Sequence, residues 1–355
     1  MHSFPAARGN QAGRPCYIAM CPMRLIPKIF VFDEEEVPPQ LRAQRKLNKS
    51  RIPEMAEYLC LNSKSYTLSA ITASIDGKVL FEPSSDTGLG QNLGVLSIPM
   101  DAQILINDGQ HRRAAIEYAI SENPELGHDN IPVLFFIDEG LERSQQMFAD
   151  LNKHAVRPSD SISTLYDHRD AVSELARAMV KSVPAFSKLT EMEKSSISNR
   201  STKLFTLSAI KNATKALLGK GKDDLISEEE TAFAAAYWSE VASHMPDWTL
   251  AMEKKVASAE LREQYVHAHG VILQALGQIG ADLLPRPESQ WKKILKKLEG
   301  IDWSRSNPDW EGRAMHHGRI SKARTNVILT ANYIKAALGL DLSASEKAYE
   351  RDLGK

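Results

Sequence analysis

Ala102-Gln103-Ile104-Leu105-Ile106, then Asn107-Asp108-Gly109-Gln110-His111-Arg112-Arg113, then Ala115, Ile116, Ala119 and Ile120 at helical spacing: this passage decides how the chain is organised. It reads as a strand, a glycine loop and a helix with one apolar face. Glycine lets the backbone turn tightly and lets a ligand approach without a side chain in the way. The helix that follows points free backbone N–H groups and the positive end of its dipole at the same spot. His111, Arg112 and Arg113 crowd three potential cations into the first turn, where helices ordinarily carry Asp or Glu. An anion seated at the helix start removes that conflict. The alternative is a loop whose Arg and His side chains pair with the acidic run Asp33, Glu34, Glu35 and Glu36.

On the N-terminal side, residues 1–27 are rich in Pro, Gly and Arg and read as an arm that joins the fold around Tyr17. Residues 27–32 (Pro-Lys-Ile-Phe-Val-Phe) read as a short buried strand. Residues 41–61 are helical, with Pro53 in a first turn and Met55, Ala56, Leu59 and Cys60 as the apolar face. Residues 66–75 lead to Asp76-Gly77 and on to residues 78–81, a hairpin signal. After the motif, residues 131–137 form a near-continuous apolar run, and so a buried strand, followed by a helix over 141–152 whose Met147, Phe148 and Leu151 face inward.

Beyond about residue 170 the strand signals stop. Residues 171–183, 201–218, 228–244, 250–276, 291–298 and 319–338 read as helices, separated by breaks such as Gly219-Lys220-Gly221-Lys222 and Pro285-Arg286-Pro287. The expected fold class is α+β, with one domain over 1–170 and an all-α domain over 171–355.

Composition sets the outer bounds. A 355-residue chain that is 43% hydrophobic and 25% charged has the profile of a soluble globular protein of two ordinary domains. No apolar run approaches the ~18–20 residues needed to cross a bilayer. Arg8 and Arg14 are followed by no apolar core, so the start does not read as a signal peptide, and a cytoplasmic protein is expected. Three cysteines (Cys16, Cys21, Cys60) are too few for a disulfide framework, and the Cys16/Cys21 spacing is looser than a zinc knuckle, so no metal is expected. The net charge of −1 neither demands nor excludes nucleic acid, so the distribution of charge matters more than its sum.

The stretch Asp108-Gly109-Gln110-His111-Arg112-Arg113-Ala114-Ala115 resembles the signature of DGQHR-domain proteins and is similar to the Gly-x-x-Arg phosphate loop of the ParB and sulfiredoxin superfamily. The segments Phe4-Pro-Ala-Ala-Arg-Gly9, Met20-Cys-Pro-Met-Arg-Leu-Ile-Pro27, Arg42-Ala-Gln-Arg45, Leu47-Asn-Lys-Ser-Arg-Ile-Pro53, Ile71-Thr-Ala-Ser-Ile-Asp-Gly77 and Leu207-Ser-Ala-Ile-Lys-Asn212 resemble the DndB family in particular. That resemblance implies a ParB/sulfiredoxin-like N-terminal domain and a repressor of a DNA phosphorothioate modification operon that binds its own promoter. It selects Asp108, Gly109, Gln110, His111 and Arg112 as the phosphate or nucleotide loop, Asn152 and Arg157 as a second polar segment, and Asn48 and Arg51 as further lining. It also implies double-stranded DNA, other phosphorothioation proteins and a second copy of the chain as partners, with a nucleoside triphosphate and Mg as the one cofactor to consider. The alternative function is a ParB-like NTPase or DNA-nicking enzyme, with Asp108 or His111 assisting attack on a phosphate. Whether the chain is an enzyme stays open at this point.

Two basic clusters remain. Lys292, Lys293, Lys296 and Lys297 lie along one side of a helix and read as a cationic stripe or as a solvated face. Arg313, Arg319, Lys322 and Arg324, with His316 and His317, sit near Trp303 and Trp310 and can grip backbone while the rings stack on sugar or base. Arg8 and Arg14, on the N-terminal arm, complete the set of candidate DNA contacts. No Gly-x-Ser-x-Gly, His-Glu-x-x-His or paired-Cys motif gives the common hydrolases and metalloenzymes a foothold.

Overall fold

The structure, a computed structural model, describes residues 1–30, 51–137, 146–147, 150–151, 158–221 and 224–353. It divides into two compact units, Met1–Val156 and Arg157–Lys355.

The first unit is built on a seven-stranded mixed sheet. Its strands are β1 (His2–Gln11), β2 (Arg14–Pro22), β3 (Ile71–Asp76), β4 (Leu80–Pro83), β5 (Leu93–Ile98), β6 (Gln103–Asp108) and β7 (Asn130–Ile137), in the order β4-β5-β1-β2-β7-β3-β6. Only β3 and β7 run parallel. The helices α1 (Ile26–Ile29), α2 (Arg51–Leu61) and α3 (Gln110–Glu122) accompany it. The core follows the period of two along each strand. Ala6, Ala19, Val133 and Ile71 form one buried row across four paired strands, and Tyr17, Phe135, Ala73 and Ile106 form the next. From the helices, Ile26, Phe30, Ala56, Leu59, Ala115, Ile116 and Ala119 join the same cluster. Burying each large apolar side chain contributes about 1.5–3 kcal/mol, which outweighs the weak strand propensity of the Ala and Pro in these strands.

Three expectations need correction here. Residues 1–27 are not an arm: they supply β1 and β2, which lie inside the sheet with neighbours on both sides. The hairpin turns on Ala12 and Gly13, both with positive φ (53° and 77°), the geometry of a two-residue turn that matches strand twist. Residues 26–29 are helical rather than extended. Pro27 suits a first turn, and Ile26, Ile29 and Phe30, all buried, fall at the i, i+3, i+4 spacing of a helix face. Asp76-Gly77 does not close a hairpin between β3 and β4. The edges of β3 are taken by β6 and β7, so β4 pairs with β5 at the opposite end of the sheet.

The second unit is mainly helical: α4 (Asp160–Tyr166), α5 (Ala171–Ser182), α6 (Pro184–Leu189), α7 (Leu207–Leu218), α8 (Glu228–Ser243), α9 (Pro246–Met252), α10 (Ser258–Gln264), α11 (Gly270–Leu283), α12 (Glu288–Leu295), α13 (Arg324–Leu338) and α14 (Ala344–Leu353). It is not purely helical. β8 (Thr190–Glu191) pairs with β9 (Phe205–Thr206), and β10 (Met315–His316) pairs with β11 (Arg319–Ile320). The long helix expected over 250–276 is three pieces, broken first where Lys254 takes a left-handed φ of 59°. Phe186, Phe205, Tyr237, Trp238, Trp248 and Trp310 fill its core. No helix among the described residues is long and apolar enough to cross a membrane.

Candidate functional site

The motif occupies the junction of β6 and α3. The β3–β6 register slips by one residue between Thr72 and Ala73, so Asn107 is an insertion in β6. Such a bulge re-aims the residues that follow it. Asn107 is buried and accepts a 2.8 Å hydrogen bond from the Ser74 hydroxyl, which fixes the bulge from inside.

Gly109 is the N-cap of α3 with φ 109°, a backbone region that disfavours any side chain. A Cβ there would also stand 3.0 Å from both Arg112 Nη2 and Ile71 Cγ1. Glycine is therefore required twice, by backbone angle and by space. Arg112 folds back over it, donating from Nη2 to Asp108 Oδ2 (2.7 Å) and to the Ala70 carbonyl (3.1 Å).

Arg113 does different work. Its guanidinium donates to the carbonyls of Phe30 (3.2 Å) and Pro27 (3.1 Å) and pairs with Glu117 at 2.6 Å. It satisfies carbonyls left open at the end of α1 and pins that helix to α3.

Arg112 and Arg113 are therefore answered by the protein's own groups, and His111 is engaged as well. The conflict read from the sequence is eased, but not removed. The Arg112–Asp108 pair is one turn apart and Asp108 is 47% exposed, so it contributes under about 1 kcal/mol and yields to a better anion. Two buried atoms of the loop, Gln110 Oε1 and Arg112 Nε, have no hydrogen-bond partner. Each buried polar atom left unmatched costs about 1–3 kcal/mol. Both residues were among the sequence candidates, and of the two atoms Gln110 Oε1 is an acceptor and Arg112 Nε a donor. His111 is half-buried on the first turn, and it is already engaged.

Of the remaining candidates for this site, Arg51 is exposed at the first position of α2. Asn48, Asn152 and Arg157 lie outside the described residues, as do the acidic run 33–36 and most of the helix expected over 141–152. In what is described of that helix, Leu151 is exposed rather than inward-facing. Cys16 and Cys21 share β2 at an odd spacing, which sends them to opposite faces of the sheet, and burial pushes the Cys21 thiol up to about 12.

The basic clusters separate into engaged and open residues. Lys292 pairs with Glu288 at 2.7 Å, and Lys297 donates to the Leu338 carbonyl at 2.9 Å, closing the end of α13. Arg313 grips both carboxylate oxygens of Glu350 (2.7 and 2.8 Å) and the Leu329 carbonyl. Arg8 donates to the Gln91 carbonyl at 2.9 Å and lies 5.0 Å from the Phe81 ring centre, mid-strand, while Arg14 flanks the hairpin turn and is also engaged. Lys293, Lys296, Arg319, Lys322 and Arg324 are exposed. The two tryptophans expected to stack on bases are buried and stack on each other, ring centres 5.5 Å apart.

Comparison with protein families finds a match to the DndB model, DNA-sulfur modification-associated, over residues 4–341. The chain belongs to the DndB family. It is thereby associated with DNA sulfur modification, and the match spans both units. No curated protein and no solved structure matches this DndB-family chain.

Proposed function

We propose that this DndB-family protein is a DNA-binding regulator of DNA sulfur modification, a repressor of its own operon whose Asp108–Arg112 loop receives a phosphate in the manner of a ParB-like domain. The observation that carries the reading is Arg112 Nε, a buried donor without a partner in the first turn of a helix that a left-handed glycine opens. Arg112 and the first N–H groups of α3 favour an anion there, and a phosphate oxygen satisfies the idle donor. The exposed residues Lys293, Lys296, Arg319 and Arg324 add sequence-independent attraction to a DNA backbone.

Binding is favoured over phosphate cleavage because His111, one of the two groups that could assist attack, is already engaged. Competition between the operon's promoter fragment and a scrambled duplex tests the regulator reading, with plasmid nicking and nucleotide hydrolysis followed in parallel. Preference for the promoter without nicking or hydrolysis is the expected result. Equal affinity for both duplexes, or turnover, refutes it.

A further inference from the structure

We propose that the helical unit carries a second, separate oxyanion pocket, built to take the phosphate end of a small phosphorylated molecule. It is a cavity of about 540 Å³ lined by Thr206, Arg262, His269, Gly270, Arg305 and Lys322 among others. The inference is independent of the loop at Gly109.

Charge in the cavity favours an anion. Three cations, Arg262, Arg305 and Lys322, face one carboxylate, Glu263. Both guanidinium groups spend their donors on backbone carbonyls: Arg262 on those of Ser198, Asn199, Ser201 and Lys203, Arg305 on those of Glu263 (3.2 Å) and Gly318 (2.8 Å). Carbonyl dipoles occupy these donors but cancel no charge. The field they leave is felt by His269. Burial, then Arg305, Lys322 and Arg262, outweigh its hydrogen bond to the Arg262 carbonyl and push it down to about 4.

Lys322 stands at the start of a helix. Its ammonium stands 3.4 Å from where a Cβ on Gly270 would lie, against the first residue of the fourteen-residue helix α11. That helix has no acidic residue in its first turn and no side-chain cap. A cation beside the positive end of a helix dipole is unfavourable unless an anion sits between them. The cavity has the size of small-ligand sites, at about 300–1,000 Å³, and its concavity admits a phosphorylated end rather than the flank of a duplex.

The test uses the full chain and follows the imidazole resonances of His269, assigned with His269→Gln, during titration with inorganic pyrophosphate and, separately, adenosine monophosphate. Saturable shifts are expected with at least one of these, and which one saturates distinguishes free phosphate from a nucleotide. Lys322→Glu should weaken the response at least about tenfold, equivalent to ~1.4 kcal/mol. Lys322→Arg should restore it, and Arg112→Ala should leave it unchanged. Lys322 is exposed, so loss of fold is not expected, and a thermal melt of each variant checks that. Absence of saturable shifts, an unaltered response in Lys322→Glu, loss in Arg112→Ala, or displacement of pyrophosphate by duplex DNA each overturns the proposal.

Discussion

Arg112 turns back along its own helix to meet Asp108, with Nη2 2.7 Å from Oδ2 directly over Gly109. The residue before the glycine thus holds in place the arginine three residues after it. This arrangement keeps the guanidinium at the helix start without a ligand, and its partial exposure makes it easy to exchange for a phosphate.

Gly109→Ala should lower stability by about 1–3 kcal/mol, because a left-handed φ and two 3.0 Å approaches cannot both be accommodated. The midpoint of urea unfolding measures this. Affinity for DNA should fall as well, since Arg112 must move. A variant with the parent's midpoint and affinity would show that the loop relaxes freely and that its geometry is not needed.

The basic residues should divide by what they touch. Arg313→Ala takes the cationic partner from Glu350, which keeps only the Asn332 amide at 3.0 Å, and a donor from the Leu329 carbonyl, so the melting temperature should drop, at a cost of about 1–3 kcal/mol, with the salt dependence of DNA binding unaltered. Lys293→Gln with Lys296→Gln should do the reverse. Stability should stay within about 0.5 kcal/mol while the slope of log K against log salt flattens by about 1–2. Parent-like slope in the double variant assigns both lysines to plain solvation.

Stability should fall as pH drops from about 6.5 to 4, and His269 should account for much of it. Its folded value is depressed to about 4, so across that window the unfolded chain binds a proton that the folded chain refuses. The stabilisation is present at neutral pH and is lost on acidification, on the order of 1–3 kcal/mol for a partly buried group. His269→Gln should flatten this slope, read from urea midpoints at several pH values. Further loss below that window belongs to Asp170, Glu346 and Glu350, whose carboxyls are held low by Lys211, Lys335 and Arg313. If His269→Gln keeps the parent's slope, the assignment to this histidine fails.

The β6–loop–α3 unit was legible because its signals are local: a strand period, a glycine, then a helical stripe within about twenty residues. The first strands were not. Pro5, Gly9, Gly13 and Pro15 gave residues 1–22 the composition of an arm and hid the alternation of Phe4 and Ala6, then Tyr17, Ala19 and Cys21. The turn at Asp76-Gly77 was a true local signal that tertiary pairing overrode once β6 and β7 had taken both edges of β3. At the candidate site, Gly109 and Arg112 could be read directly. The pinning role of Arg113 could not, because the Pro27 and Phe30 carbonyls are more than eighty residues away. Separation along the chain likewise hid the cavity at Arg262, Arg305 and Lys322, and Trp303 and Trp310 looked available only until their mutual stacking and burial appeared.

The Asp108–Arg112 loop is proposed to hold a phosphate of the regulated DNA. Fluorescence anisotropy of the labelled promoter duplex, with parent and Arg112→Ala compared at one salt concentration, tests it most directly. At least about a tenfold loss of affinity is expected, ~1.4 kcal/mol or more, with the melting temperature nearly unchanged because the Arg112–Asp108 pair is partly exposed. Arg112→Ala binding the promoter as tightly as the parent would contradict it.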